Sequence, residues 1–140
     1  MIERVCASLY ADPLHIGHIE YLTKAKELAG KDGKLVVIVN NDFQALLKKG
    51  KSFMPENERK IILESLKMVD EVWLSIDTDR TVCKTIETIL PPITMFVNGG
   101  DQNNNTIPEK EICDKLNIKL VDGLGDKIQS SSWLTGIKKL

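Results

Sequence analysis

His15 and His18 bracket Ile16 and Gly17 in the run Asp12-Pro13-Leu14-His15-Ile16-Gly17-His18. The apolar run Val5-Cys6-Ala7-Ser8-Leu9 before it reads as a buried strand. After it, Ile16, Ile19, Leu22, Ala25 and Ala29 recur at helical spacing. Both histidines therefore fall where the C-terminal end of a strand meets the N-terminus of a helix. Ligands bind at that place in open α/β sheets. The first helical turn has N–H groups without intrahelical partners and a partial positive charge, so the chemistry it favours is phosphate binding. Gly17 has no Cβ, which lets a ligand approach the backbone.

Other groups further along could join such chemistry. Lys48-Lys49-Gly50-Lys51 is either a solvated loop or a mobile basic loop that closes over a polyphosphate. Arg59, at the start of an apolar series, reads by itself as a surface ion-pairing residue. Asn98-Gly99-Gly100-Asp101 is a strand end followed by a glycine pair and an acid, which suits a tight turn. Ser130-Ser131-Ser132 precedes a short apolar segment and can cap a helix.

The elements that must position these groups alternate along the chain. Leu35 to Val39 is a continuous β-branched run, as in a strand covered on both faces. Asn40-Asn41-Asp42 can cap a short helix over Phe43 to Leu47. A helix starts at Pro55-Glu56, with Ile61, Ile62, Leu66 and Val69 as its expected buried side. Strands follow at Val72 to Leu74, Ile93 to Val97 and Ile118 to Val121, with helices at Thr81 to Leu90 and Pro108 to Leu116 between them. Five alternating strands and helices predict a Rossmann-like, doubly wound parallel five-stranded sheet with helices on both faces. No Gly-x-Gly-x-x-Gly fingerprint and no Walker loop is present, so phosphate must be held by other groups.

The 140 residues suit one domain over 1–140. A net charge of −1 argues against a nucleic-acid-coating surface, and no apolar run is long enough to span a membrane. No secretory leader is apparent, and Cys6, Cys83 and Cys113 lack metal-ligand spacing. We therefore expect a cytoplasmic protein with reduced thiols and neither a nucleic-acid nor a membrane partner.

His-x-Gly-His in this setting resembles the nucleotidyltransferase family that includes glycerol-3-phosphate cytidylyltransferase and the heptose-1-phosphate adenylyltransferases. Glu56-Asn57-Glu58-Arg59, Val69-Asp70-Glu71-Val72, Asn98-Gly99-Gly100-Asp101 and the serine run extend the resemblance along nearly the whole chain. It implies transfer of a nucleoside monophosphate, CMP in preference to AMP with both open, from CTP or ATP to a small phosphorylated alcohol or sugar, with release of pyrophosphate. It also implies Mg²⁺, with Asp12 the residue best placed to help orient the ion or the histidine turn, and a homodimer. The implied catalytic residues are His15, His18, Lys49 and Arg59, the arginine pointing back at the phosphates. Leu9, Tyr10, Ala11, Asp12, Gly17, Asn98, Gly99, Gly100, Asp101, Gln129, Ser130, Ser131 and Ser132 would bind the nucleotide. Lys51 and Lys127 would bind the acceptor.

Two segments depart from the family pattern. Leu9-Tyr10-Ala11 stands where relatives have glycine and then an aromatic before the aspartate, and larger side chains there would crowd the phosphates. Tyr10 could instead stack on the base or reach a phosphate. Lys127 stands near where several relatives carry arginine, and lysine lacks the bidentate fork. A non-catalytic nucleotide- or phosphometabolite-binding protein on the same fold is the alternative. A class I aminoacyl-tRNA synthetase is disfavoured, because the chain has no Lys-Met-Ser-Lys-Ser element, no room for further domains and no basic surface.

Overall fold

The computed structural model describes residues 2–99 and 108–124. Its elements are β1 (Arg4–Leu9), α1 (Ile16–Ala29), β2 (Lys34–Val39), α2 (Asp42–Lys49), α3 (Glu56–Glu64), β3 (Glu71–Leu74), α4 (Cys83–Thr88), β4 (Met95–Gly99), α5 (Lys110–Lys115) and β5 (Lys119–Leu124). All five strands run parallel, in the order β3-β2-β1-β4-β5. The expected doubly wound α/β architecture is the one observed.

The sequence shows why the sheet is covered on both faces. Alternate residues of one strand point to opposite sides. Val5, Ala7, Leu9, Leu35, Val37 and Val39 join one core cluster, with Leu22, Ala25 and Ala29 of α1 and Leu63 of α3. Cys6, Val36, Ile38 and Phe96 join the other, with Val82, Ile86, Ile89 and Cys113. So α1 and α3 lie against one face, and α4 and α5 against the other.

The third helix faces differently from the expectation. Ile61 is 58% exposed and Ile62 37%, whereas Arg59 and Leu63 are buried. Arg59 and Leu63, four residues apart, share the inward stripe of α3. The fixed bonds of the Arg59 guanidinium, described below, set that rotation and leave both isoleucines outside. Leu66 and Val69 do pack on the core, but beyond the end of the helix. Leu90, the expected last residue of the helix from Thr81, is exposed because α4 stops at Thr88.

Strand order locates the crevice. The chain steps from β1 outward through β2 to β3, then returns to lay β4 on the other side of β1. The connections leaving β1 and β4 diverge to opposite sides, which opens a gap above their C-terminal ends. The Tyr21 hydroxyl of α1 donates to the Val97 carbonyl of β4 at 2.9 Å and ties the helix to this point. At the opposite end of the sheet, the buried Arg4 grips Glu71 with both terminal nitrogens, at 2.6 and 3.1 Å, and clamps β1 to β3.

Candidate nucleotide site

The two histidines cap the helix they introduce. His15 is the N-cap of α1, and its Nδ1 accepts from the Gly17 N–H at 3.1 Å. His18 Nδ1 accepts from the His15 N–H, also at 3.1 Å. The pair forms a reciprocal capping box built from imidazoles instead of the usual Ser/Thr and Glu. A backbone N–H can only donate, so each Nδ1 presents a lone pair, and each neutral ring carries its proton on Nε2. The rings stack with centroids 3.8 Å apart and planes 25° apart. The site thus holds two Nε2–H donors in fixed orientation at a helix N-terminus. Gly17 contributes its amide to the same turn.

Both rings are biased towards the neutral form. Burial lowers the pKa of His15. Burial, and then the charges of His15 and Lys48, lower that of His18 to about 4. This predicts a pH dependence of folding. Between the ordinary histidine value of 6.5 and about 4, the unfolded chain binds a proton on His18 that the folded chain does not. Stability therefore falls as pH drops through this window and levels off below it. The total is about 2–3 kcal/mol for this partly solvated ring. In Asp12 and Asp42 burial, which raises a carboxyl pKa, is outweighed by hydrogen bonds, so their stabilisation is lost only at more acid pH. Burial raises Glu109, which works in the opposite sense. Urea unfolding between pH 7 and 4 should show the slope, and removing the His18 imidazole should flatten it.

Above the β1–β4 switch point lies a cleft of about 750 Å³. Its lining includes Leu9, Tyr10, Ala11, Asp12, His18 and Lys49 from the expected set. The Leu9 side chain, at the cleft's edge, belongs to the first core cluster. Ala11 has φ 53°, a left-handed conformation uncommon for alanine, where the chain turns out of β1. Lys51 is exposed and does not line the cleft, and of the histidine turn His18 lines it whereas His15 and Gly17 do not. Asn98 and Gly99 end β4. Gly100, Asp101, Lys127, Gln129, Ser130, Ser131 and Ser132 lie outside the described residues.

Two residues take different positions from those expected. Arg59 does not point at the cleft. Its side chain is fully buried, with Nε donating to the Met54 carbonyl at 2.9 Å. One terminal nitrogen donates to the carbonyls of Tyr10 and Asn40, both at 2.7 Å, and the other to Asp42 Oδ1 at 2.8 Å. It ties together the turns after β1 and β2 and the segment before α3, and so acts through the backbone it holds. Asp12 is likewise engaged. Its fully buried carboxylate accepts from the backbone N–H of Phe53 at 2.9 Å and of Met54 at 2.6 Å, and from Lys49 Nζ at 3.0 Å. This carboxylate clasps the segment before α3, and its donor set does not fit a Mg²⁺ ligand. Among the described residues, no three His, Cys, Asp or Glu side chains gather around one point.

The cleft also takes in Tyr21, Asn40, Arg80 and Glu109, to which the sequence assigned no site role, together with Lys48. Lys48 was visible as part of the basic run, and its Nζ lies 4.4 Å above the centre of the Tyr10 ring. Arg80 and Glu109 had no local signal, because they reach the cleft only through tertiary packing. The Glu109 carboxylate accepts from the Val82 N–H at 3.0 Å.

A parallel sheet with a histidine-capped helix N-terminus at its switch point is an arrangement at which α/β proteins bind phosphate groups. The chain belongs to the cytidylyltransferase-like family, whose sequence model matches residues 10–124. It is 40% identical over 111 residues to the FAD synthase of Methanothermus fervidus, a match covering 79% of this chain and 72% of that protein. The FAD synthase of Aciduliprofundum boonei is 36% identical over 98% of this chain and 87% of its own length. The bifunctional protein HldE of Syntrophotalea carbinolica is 37% identical over 80% of this chain, but the match spans only 23% of HldE. Among solved structures, a lipopolysaccharide core biosynthesis protein from Thermoplasma volcanium superposes with a TM-score of 0.73 at 30% identity, covering 90% of this chain and 99% of that one. The resemblance drawn from the histidine motif and the nucleotidyltransferase class therefore stand. No described helix is long and apolar enough to cross a membrane.

Proposed function

We propose that the protein transfers AMP from ATP to a phosphorylated acceptor, with FMN the first candidate. The observation that carries this reading is the imidazole capping box at the start of α1, which fixes His15 and His18 at the helix N-terminus and sets His18 in the lining of the cleft. The relatives named FAD synthase favour adenine over the cytosine suggested by the motifs. FAD joins FMN to AMP through a pyrophosphate link, so its synthesis from FMN is one nucleotidyl transfer.

In that reaction an oxygen of the acceptor phosphate forms a bond to the α-phosphorus. The bond from that phosphorus to the oxygen bridging the β-phosphate breaks, and pyrophosphate leaves with the electron pair. A phosphate monoester is already largely dianionic at neutral pH, so no general base is required. What remains for the protein is positioning and stabilisation of charge. His15 and His18 donate to the triphosphate oxygens as charge develops on them. Lys49, held by the Asp12 carbonyl at 2.8 Å and by its carboxylate, adds positive charge at the same mouth. On the family resemblance, Asn98, Gly99, Gly100 and Asp101 shape the nucleoside pocket, and Gln129 with Ser130, Ser131 and Ser132 holds the leaving pyrophosphate.

Pyrophosphate release tests this directly. The chain is offered ATP, CTP, GTP and UTP with Mg²⁺, against FMN, glycerol 3-phosphate and sugar 1-phosphates. Release that needs both ATP and FMN is the expected result. Release with CTP and a different acceptor would replace the proposed substrates. Nucleotide binding without release from any pair would favour a binding protein.

A further inference from the structure

The cleft has two walls, built on opposite faces of the sheet. One is the histidine turn of α1, which packs with Leu22 and Ala25 in the first core cluster. The other is the approach to α4, whose N-cap Val82 belongs to the second cluster. Arg80 stands two residues before Val82 and lines the cleft from that second wall. Tyr10 lines the same cleft, and the Arg80 charge, ahead of Arg59, opposes the rise in phenol pKa that burial causes. Lys48 covers the ring of the same tyrosine. The other two arginines are paired with carboxylates, Arg4 with Glu71 and Arg59 with Asp42. Among the described residues Arg80 forms no ion pair. A guanidinium that lines a cleft beside an aromatic ring and forms no ion pair among the described residues is a ready site for a bidentate anion.

We propose that Arg80, positioned by Tyr10 and reinforced by Lys48, binds the phosphate monoester of the acceptor on the wall opposite the histidines. The assignment rests on the transfer reading and names the subsite that the reaction requires. In-line displacement places the attacking and leaving oxygens on opposite sides of the α-phosphorus, so two anionic groups must be held apart. The histidine wall takes the triphosphate, and the Arg80 wall takes the incoming phosphate. Glu109, also in the cleft lining, repels a dianion from its own corner towards Arg80 and Lys48. Tyr10, which departs from the family pattern, acquires a role as the support between the two cations.

Titration of the full chain with FMN, riboflavin and ATP, before and after Arg80→Gln, tests this. Riboflavin is FMN without its phosphate. The wild-type chain should bind FMN at least about tenfold more tightly than riboflavin, and Arg80→Gln should remove most of that preference. Riboflavin and ATP should keep their Kd within about twofold, and Arg80→Lys should recover part of the FMN preference. Arg80 is exposed, so the melting temperature should not change. Equal binding of FMN and riboflavin by the wild type, an FMN Kd untouched by Arg80→Gln, or loss of ATP binding in its place would each overturn the assignment. An FMN preference that depends on Arg80, with no pyrophosphate released from ATP and FMN, would uphold the phosphate site and sink the transfer reading.

Discussion

His18→Asn should lower kcat for pyrophosphate release by about 10²–10³ while leaving the melting temperature nearly unchanged. The asparagine side-chain oxygen reaches about as far from the backbone as Nδ1, so it can still accept from the His15 N–H and keep the capping box closed. It has no group at the place of Nε2. The variant therefore separates the two jobs that the imidazole does at once, capping α1 through one nitrogen and presenting a donor through the other. His18→Ala should show the same loss of rate plus a loss of stability of about 1 kcal/mol, the usual worth of a cap. A His18→Asn protein with full activity would remove His18 from the chemistry and leave it a structural cap. His15→Asn gives a parallel test, because asparagine is itself a favoured N-cap and can accept from the Gly17 N–H. The low pKa of His18, about 4, adds a condition. Its donor is present as a neutral ring throughout pH 5–9, so the rate should not follow an ordinary histidine titration near pH 6.5.

Arg59→Met should destabilise the fold by about 3 kcal/mol or more, read from urea unfolding at pH 7. Methionine fills much of the same volume, so the loss isolates hydrogen bonding. The carbonyls of Tyr10, Asn40 and Met54 would each lose a charged donor in a site that admits little water. Asp42, which is 41% exposed, can turn to solvent and adds less. Arg59→Lys should recover little, because one ammonium cannot reach three carbonyls and a carboxylate that a planar fork meets together. The kinetic signature should be broad. Tyr10 and Asn40 line the cleft and hang from Arg59, so KM should rise for both substrates and kcat should fall. An arginine that gripped phosphate directly would raise KM for one substrate and leave the urea midpoint in place, and that outcome would restore the direct role that the Glu-x-x-Arg motif suggested.

Read by itself, the chain determined the alternation of strands and helices, the cover on both faces of the sheet and the location of the histidine turn. These follow from short-range causes. Val5 to Leu9 and Leu35 to Val39 are apolar without interruption, and the spacing of Ile16, Ile19, Leu22, Ala25 and Ala29 belongs to a helix. Caps, too, are local, and Asn41 closes α2 with Gln44 as its type and spacing suggest. The imidazole capping box was hidden only because histidine seldom serves as a cap.

The tertiary structure decided what the charged residues do. The bonds of Arg59 reach 19 residues back to Asn40 and 49 back to Tyr10. Those of Asp12 reach 41 and 42 residues forward to Phe53 and Met54. No periodicity carries such information, because a buried charge is held wherever distant backbone groups converge with unpaired dipoles. Motif spacing could place Arg59 near the cleft but not tell whether its fork faced substrate or main chain. Arg80 shows the converse. It lies in a loop with no motif, and only the packing of α4 on the second face of the sheet brings it into the cleft lining that His18 shares.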